Sequence, residues 1–253
     1  MKIGFFGINV GACAEPVVLE RVARTAEAAG YESLWTGEHI VLPDPHQAPS
    51  PSPPETPFLD SAVALTFAAA HTARVKLGTG IVILPQRNPL VLAKEMVSVD
   101  VLSNGRLILG VASGYLHQEF AALGVPFSGR GPRTDEYIDA IREMWTAEKP
   151  KFEGRYVKFA EVNAQPRPIQ RPTPPFVIGG QSAPAYRRAL ERGHGVRACA
   201  IFPVDFAENF RGRPARAGAV QNRTQGGWPG CRRAVAHVAG PVGSGGFSSR
   251  ASR

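Results

Sequence analysis

A parallel α/β fold closed as an eight-stranded (β/α)8 barrel is what the sequence predicts, with an open doubly wound sheet as the alternative. Three observations carry the prediction. Apolar strand-like runs alternate with helix-like runs five times within residues 1–195, the pattern of parallel strands joined by right-handed helical crossovers. The strand-like runs are short, apolar on both faces and tend to end in glycine, as strands covered on both sides do. No G-x-G-x-x-G follows the first strand, which takes weight from an ordinary dinucleotide-binding sheet.

The elements follow in order. "KIGFFGINV" (2–10) reads as a buried strand. "PVVLERVARTAEAAG" (16–30) has helical apolar spacing, with Pro16 at its start and Gly30 as its stop. "YESLWTG" (31–37) is the second strand, and "FLDSAVALTFAAAHTA" (58–73) an alanine-rich helix. Between them lies the proline-rich "LPDPHQAPSPSPPETP" (42–57). Its position after a strand and its low charge suit a lid over a site better than a linker between domains. "VKLGTGIVILP" (75–85) is the third strand, followed by a helix over 89–105, the strand "RLILGVASG" (106–114) and a helix over 135–147. "KFEGRYVKF" (151–159) reads as a small hairpin, "PPFVIGG" (174–180) as the fifth strand and "SAPAYRRALERG" (182–193) as its helix.

Composition narrows the function classes. The chain has 253 residues and 43% hydrophobic content, enough for a substantial core. No run of 18 apolar residues is present, so no membrane-spanning helix is expected. The N-terminal "MKIGFFGINVGACA" mimics a short export signal but carries a single Lys among interspersed glycines, and a cytoplasmic protein is expected instead. Cys13, Cys199 and Cys231 form neither an even-numbered disulfide framework nor a metal-ligand spacing. The formal charge of +8 is concentrated at one end. Residues 196–253 hold nine Arg, no Lys and two acids, whereas residues 1–195 hold 20 basic and 19 acidic side chains. A neutral body gives no reason to expect nucleic acid or a membrane as partner.

In a barrel the functional groups gather at the C-terminal ends of the strands. Strand two delivers Glu38 and His39 there, in "SLWTGEHIVLP". An isolated Glu-His pair is more often a surface or capping pair than a catalytic one. Here every other strand ends in polar and glycine-rich residues as well. Gly78, Gly80, Gly110 and Gly114 would let a flat ring approach the backbone, unless they serve only as tight turns. Gly179, Gly180 and Ser182 end a strand and open a helix, an arrangement suited to a phosphate.

The stretches "AEAAGYESLWTGEHIVLP", "VKLGTGIVILPQRNPLVLAKEMVSVDVLSNGRLILGVASGYLHQEF", "FEGRYVKF" and "PRPIQRPTPPFVIGGQSAPAYRRALERGHG", in this order, resemble the luciferase-like monooxygenase superfamily. Within it the resemblance is to the branch of coenzyme F420-dependent oxidoreductases. It spans residues 1–195 and implies a (β/α)8 barrel with a flavin or deazaflavin at its C-terminal mouth. It implies a ring-backing bulge at Gly78, Thr79, Gly80 and Ile81, with a cis bond at Gly80–Ile81. It implies His39 as the active-site histidine beside Glu38, phosphate contacts at Gly179, Gly180 and Ser182, and a wall at Ser113, Gly114 and Tyr115. The implied activity is hydride transfer between coenzyme F420 and a small organic substrate. A flavin mononucleotide (FMN) monooxygenase and an inactive remnant are the alternatives. The expected partners are the small-molecule substrate and a second copy of the chain in a homodimer, and no metal is expected.

After "ERGHG" the resemblance stops. Residues 196–253 lack helical or strand periodicity and are rich in Arg, Gly and Pro. They read as an atypical tail, in the manner of a reading frame translated out of phase, and the expected barrel is therefore incomplete at its C-terminus. The tail is expected to be poorly packed, apart from "ACAIFPV" (198–204) as a makeshift sixth strand.

Overall fold

The computed structural model describes residues 3–197. Its core is a parallel sheet built from β1 (Gly4–Phe6), β2 (Ser33–Thr36), β3 (Lys76–Thr79), β4 (Val82–Ile83), β5 (Leu107–Ala112), β8 (Phe176–Gly179) and β9 (Gly195–Arg197). The helices are α1 (Pro16–Ala28), α2 (Ser61–Ala70), α3 (Pro89–Leu102), α4 (His117–Ala122), α5 (Arg130–Thr146) and α6 (Ala183–Arg192). A separate antiparallel hairpin joins β6 (Phe152–Glu153) to β7 (Lys158–Phe159).

Strand order decides between the two expected architectures. The sheet runs β1-β2-β3-β5-β8-β9, with β4 beside β5, and every pairing is parallel. Each crossover therefore advances in one direction, as in a barrel, whereas a doubly wound sheet reverses at a switch point. The described residues form an arc of a (β/α) barrel. Its expected incompleteness, the tail and residues 198–204 lie outside the described residues, apart from Val196 and Arg197 at the end of β9.

The sequence supplies the stops and starts. Gly30 takes φ +82° after α1, a conformation that disfavours side chains with a Cβ. Asp60 caps α2 by accepting the Ala62 and Val63 N–H groups, and Asn88 caps α3 in the same way before Pro89. Leu34, Leu77, Leu109 and Ile178 are fully buried, together with Leu65, Leu92 and Ile138 of the covering helices. Burying a side chain of this size stabilises by about 1.5–3 kcal/mol, and Leu34 and Leu77 stand in register on neighbouring strands.

Three local features differ from the expectations. The strand expected over 75–85 is two strands, β3 and β4, separated by the Gly80–Ile81 bond, which is cis as the family resemblance implied. The helix expected over 135–147 begins at Arg130, because Gly129 turns the chain at φ +72°. The short helix α4 was not expected at all. The hairpin is as read, and it is held by Glu136, whose carboxylate accepts the Arg155, Tyr156 and Val157 N–H groups.

Candidate active site

Every strand that precedes a helix contributes its C-terminal end to one cavity of about 810 Å³. Its walls include Phe6, His39, Gly80, Ile81, Ser113, Gly114, Gly179 and Ser182. β2 and β8 are three strand positions apart in the sheet, roughly 14 Å at the usual strand spacing. The cavity therefore has two ends of different chemistry.

At the β2 end stands His39. Its Nδ1 lies 3.3 Å from Oε2 of Glu119, and both side chains are almost wholly buried. Oε1 of Glu119 accepts the Ile40 N–H at 2.6 Å. Glu119 comes from α4, so the element that the sequence did not reveal delivers the carboxylate that orients the imidazole. Burial pushes the Glu119 carboxyl up. The hydrogen bond and charge of His39 and the Ile40 N–H outweigh that and hold it below the usual range. An ionised carboxylate only accepts, so Nδ1 carries the hydrogen and Nε2 is left to take or give a proton. The imidazole meets Phe58 and Tyr115 edge to face, with ring centres 5.6 Å and 6.2 Å away.

Glu38, the neighbour of His39, is occupied differently. Oε2 accepts the Ile83 N–H at 2.5 Å, and Oε1 accepts both Nε and Nη2 of Arg87 at 3.0 Å and 2.5 Å. Arg87 also binds Asp60, the cap of α2, at 2.8 Å. Burial pushes the Glu38 carboxyl up against the pull of Arg87, while the two carboxylates drive the guanidinium upward. Arg87 stays charged, because Glu38 and Asp60 both hold it. Glu38 thus ties the end of β2 to β4 and α2.

Toward the ends of β5 and β8 the cavity is basic. Arg130 opens α5, and Arg188 of α6 reaches back to donate to the Gly131 carbonyl at 3.1 Å. Arg188 also pairs with Asp135 at 2.5 Å. Arg130 donates to the Gly114 carbonyl at 3.1 Å and lies 3.7 Å from the Phe127 ring centre. Ser182 caps α6, accepting the Ala185 N–H at 3.4 Å, and Gly180 before it takes φ +123°. Two helix N-termini and two guanidinium groups at one end make an environment that favours an anion.

The family model of luciferase-like monooxygenases matches residues 11–239. The chain belongs to the luciferase-like monooxygenase family. An uncharacterised protein of Mycobacterium tuberculosis is 35% identical over 165 residues, covering 62% of this chain and 58% of that protein. The oxygenase component of a flavin-dependent trigonelline monooxygenase of Acinetobacter baylyi is 30% identical over 178 residues, covering 70% of this chain and 46% of that protein. Among solved structures, monooxygenase RslO1 of Streptomyces bottropensis superposes with a TM-score of 0.66 at 29% identity, over 80% of this chain and 61% of that one. The coenzyme F420-dependent tetrahydromethanopterin reductase of Methanopyrus kandleri gives 0.61 at 25%, over 78% and 54%. The chain thus spans about half to three fifths of the length of these relatives.

Seen as a family member, the chain brings together most of the residues picked out in its sequence. Glu38, His39, Gly80, Ile81, Ser113, Gly114, Tyr115, Gly179, Gly180 and Ser182 all line the cavity. Gly78 and Thr79 are not among its walls. A Cβ on Gly78 would fall 2.3 Å from the Trp35 ring, so its missing side chain makes room for tryptophan. A Cβ on Gly110 would fall 2.0 Å from the Thr79 carbonyl oxygen, so close strand pairing accounts for this glycine too. Thr79 is fully buried, its hydroxyl donating to the Gly110 carbonyl at 2.7 Å and accepting the Gly110 N–H at 2.8 Å. Sequence reasoning missed Glu119, Arg130, Arg188, Phe6 and Phe58. The signal for Glu119 was present in "GYLHQEF", a carboxylate just beyond a glycine-rich strand end.

Among the described residues no helix is long and apolar enough to cross a membrane, and no cluster of His, Cys, Asp and Glu could hold a metal ion.

Proposed function

We propose that this chain is an oxidoreductase that binds coenzyme F420 at the barrel mouth and exchanges a hydride between it and a small organic substrate. The observation that carries the reading is the buried His39–Glu119 pair facing, across one cavity, a basic end built from Arg130, Arg188 and two helix N-termini. The residues present fit such a coenzyme. Gly179, Gly180, Ser182 and Arg130 would hold its phosphate, and Gly80, Ile81, Ser113, Gly114 and Tyr115 would flank its ring. When bound, the deazaflavin supplies a two-electron hydride donor or acceptor.

The chain's own residues supply the rest. Oxidation of an alcohol, or reduction of a carbonyl, moves one proton for each hydride. His39 is proposed to hold that proton at Nε2, while Glu119 fixes the ring through Nδ1. Glu38 is proposed to act by position, since Arg87 and the Ile83 N–H occupy its oxygens. Gly78 and Thr79 support the bulge from behind.

An FMN-dependent monooxygenase is the second reading, favoured by the flavin-dependent trigonelline monooxygenase among the relatives. Titrating the full chain with coenzyme F420 and with FMN, followed by absorbance and fluorescence, separates the two. Tighter binding of coenzyme F420 is expected. Tighter binding of FMN would replace the first reading by the second.

A further inference from the structure

We infer that the His39 end of the cavity takes an uncharged, ring-bearing ketone, or the corresponding secondary alcohol, and turns away anionic substrates. The inference deepens the proposed hydride-transfer reading and takes from it only that a substrate sits beside His39. Recognition is read from the walls.

Phe6, Val10, Phe58 and Tyr115 line this end, with Ser52 contributed by the proline-rich loop. Phe58 and Tyr115 both stand at 85° to the imidazole plane. They wall the histidine with aromatic surface, to which a flat ring packs well. A single carbonyl or hydroxyl oxygen at His39 satisfies the reachable nitrogen. A second polar group on the ring would be buried against Phe6, Val10 and Phe58 at a cost.

Charge points the same way. Glu38 is neutralised by Arg87. The Glu119 carboxylate is buried behind His39. Among the described wall residues the arginines are Arg130, held at the Gly114 carbonyl beyond β5, and Arg188 of α6. Arg188 is paired with Asp135, and Arg130 donates to the Gly114 and Phe127 carbonyls. A carboxylate on the substrate would be stripped of water against Phe6, Val10 and Phe58, with the Glu119 carboxylate behind His39 repelling it.

Acetophenone and 4-acetylbenzoate differ by one carboxylate and share the ketone, so they isolate this discrimination. Their binding to the full chain is measured by calorimetry without coenzyme and again with coenzyme F420 or FMN. Acetophenone is expected to bind, with 4-acetylbenzoate weaker by ~10-fold or more, equivalent to about 1.4 kcal/mol. Phe58→Ala should weaken acetophenone, and Val10→Lys, which adds an ammonium to the same wall, should reverse the order. If either variant fails to fold, the wild-type pair decides alone. Affinities within about threefold of each other, preference for 4-acetylbenzoate, or no binding of acetophenone under any of these conditions would overturn the inference. A chain that binds acetophenone but neither coenzyme would instead overturn the hydride-transfer reading and leave this one standing.

Discussion

One carboxylate, that of Glu119, holds His39 with one oxygen and the next residue's backbone with the other, at 3.3 Å from Nδ1 and 2.6 Å from the Ile40 nitrogen. The two side chains are 80 residues apart in sequence, on the end of β2 and on α4. The bond to Ile40 fixes the direction in which the chain leaves β2, and the contact with Nδ1 fixes the ring that this chain carries. Orientation and charge compensation of the imidazole thus come from a single group.

If His39 moves the proton, His39→Ala in an active, coenzyme-loaded protein should lower kcat by about 10²–10⁴-fold, the usual loss for a general acid or base. Coenzyme affinity should stay nearly unchanged, since the phosphate contacts lie at the β8 end. Glu119→Gln keeps a hydrogen-bond acceptor without the charge and should fall between the variant and the wild type. Steady-state kinetics beside a coenzyme titration reads both quantities. Unchanged turnover in His39→Ala would return the Glu38-His39 dipeptide to a structural role.

The lowered pKa of Glu119 has a consequence for stability. Burial opposes ionisation, but His39 and the Ile40 N–H more than compensate, so the folded pKa lies below the unfolded value of about 4.3. A depressed carboxylate contributes stability that is complete above the unfolded pKa and is lost as pH falls through the folded one. Urea midpoints measured from about pH 6 down to pH 3 should therefore fall more steeply for the wild type than for Glu119→Gln. Parallel curves would show that Glu119 titrates alike in both states.

Much of this arrangement was legible before the structure, because strands and helices leave periodic apolar patterns and barrels put function at strand ends. The order of β1, β2, β3, β5 and β8, the hairpin 151–159 and the cavity positions of His39, Gly80 and Ser182 follow from those patterns and from the family resemblance. What was not legible depends on contacts between distant segments. Glu119 sits in a six-residue helix, too short to show a period. Arg130 belongs to a helix whose first turn contains Gly131 and Pro132, which reads locally as a loop. Gly78 and Gly110 look like the glycines of a ring site, and only the position of Trp35 and of the Thr79 carbonyl reveals what their small size accommodates.

Gly78 offers a direct check on that last point. Trp35 is fixed by donating from Nε1 to the Ser33 hydroxyl at 2.7 Å, so it cannot easily retreat from a new methyl group 2.3 Å away. Gly78→Ala should destabilise by about 1–3 kcal/mol, the usual penalty of overpacking. Thr79→Val should cost a similar ~1–3 kcal/mol by leaving the Gly110 N–H and carbonyl without their partner. Thermal and urea unfolding measure both. A Gly78→Ala protein of native stability that fails to bind coenzyme would restore the ring-accommodating role.

Arg130 tests the basic end. Arg188 is also present there, but its Nε is committed to Asp135 and its Nη2 to the Gly131 carbonyl. Arg130 instead spends its bonds on the carbonyls of Gly114 and Phe127 and rests on the Phe127 ring. These contacts orient a guanidinium without cancelling its charge. A phosphate placed among α5, Gly179, Gly180 and Ser182 would take its charge-assisted bond from Arg130. Arg130→Gln should then weaken FMN and coenzyme F420 by about 10–100-fold, the range of a charged hydrogen bond worth about 1.5–3 kcal/mol. Riboflavin, which has the FMN ring and ribityl chain but no phosphate, should be affected little. Arg188→Gln should register mainly as lost stability, because it leaves the Asp135 carboxylate on α5 without its partner. Raising the salt concentration should narrow the gap between wild type and Arg130→Gln for FMN, and leave riboflavin unmoved. Equal losses of riboflavin and FMN in Arg130→Gln would mean that Arg130 supports the cavity wall and that the phosphate lies elsewhere.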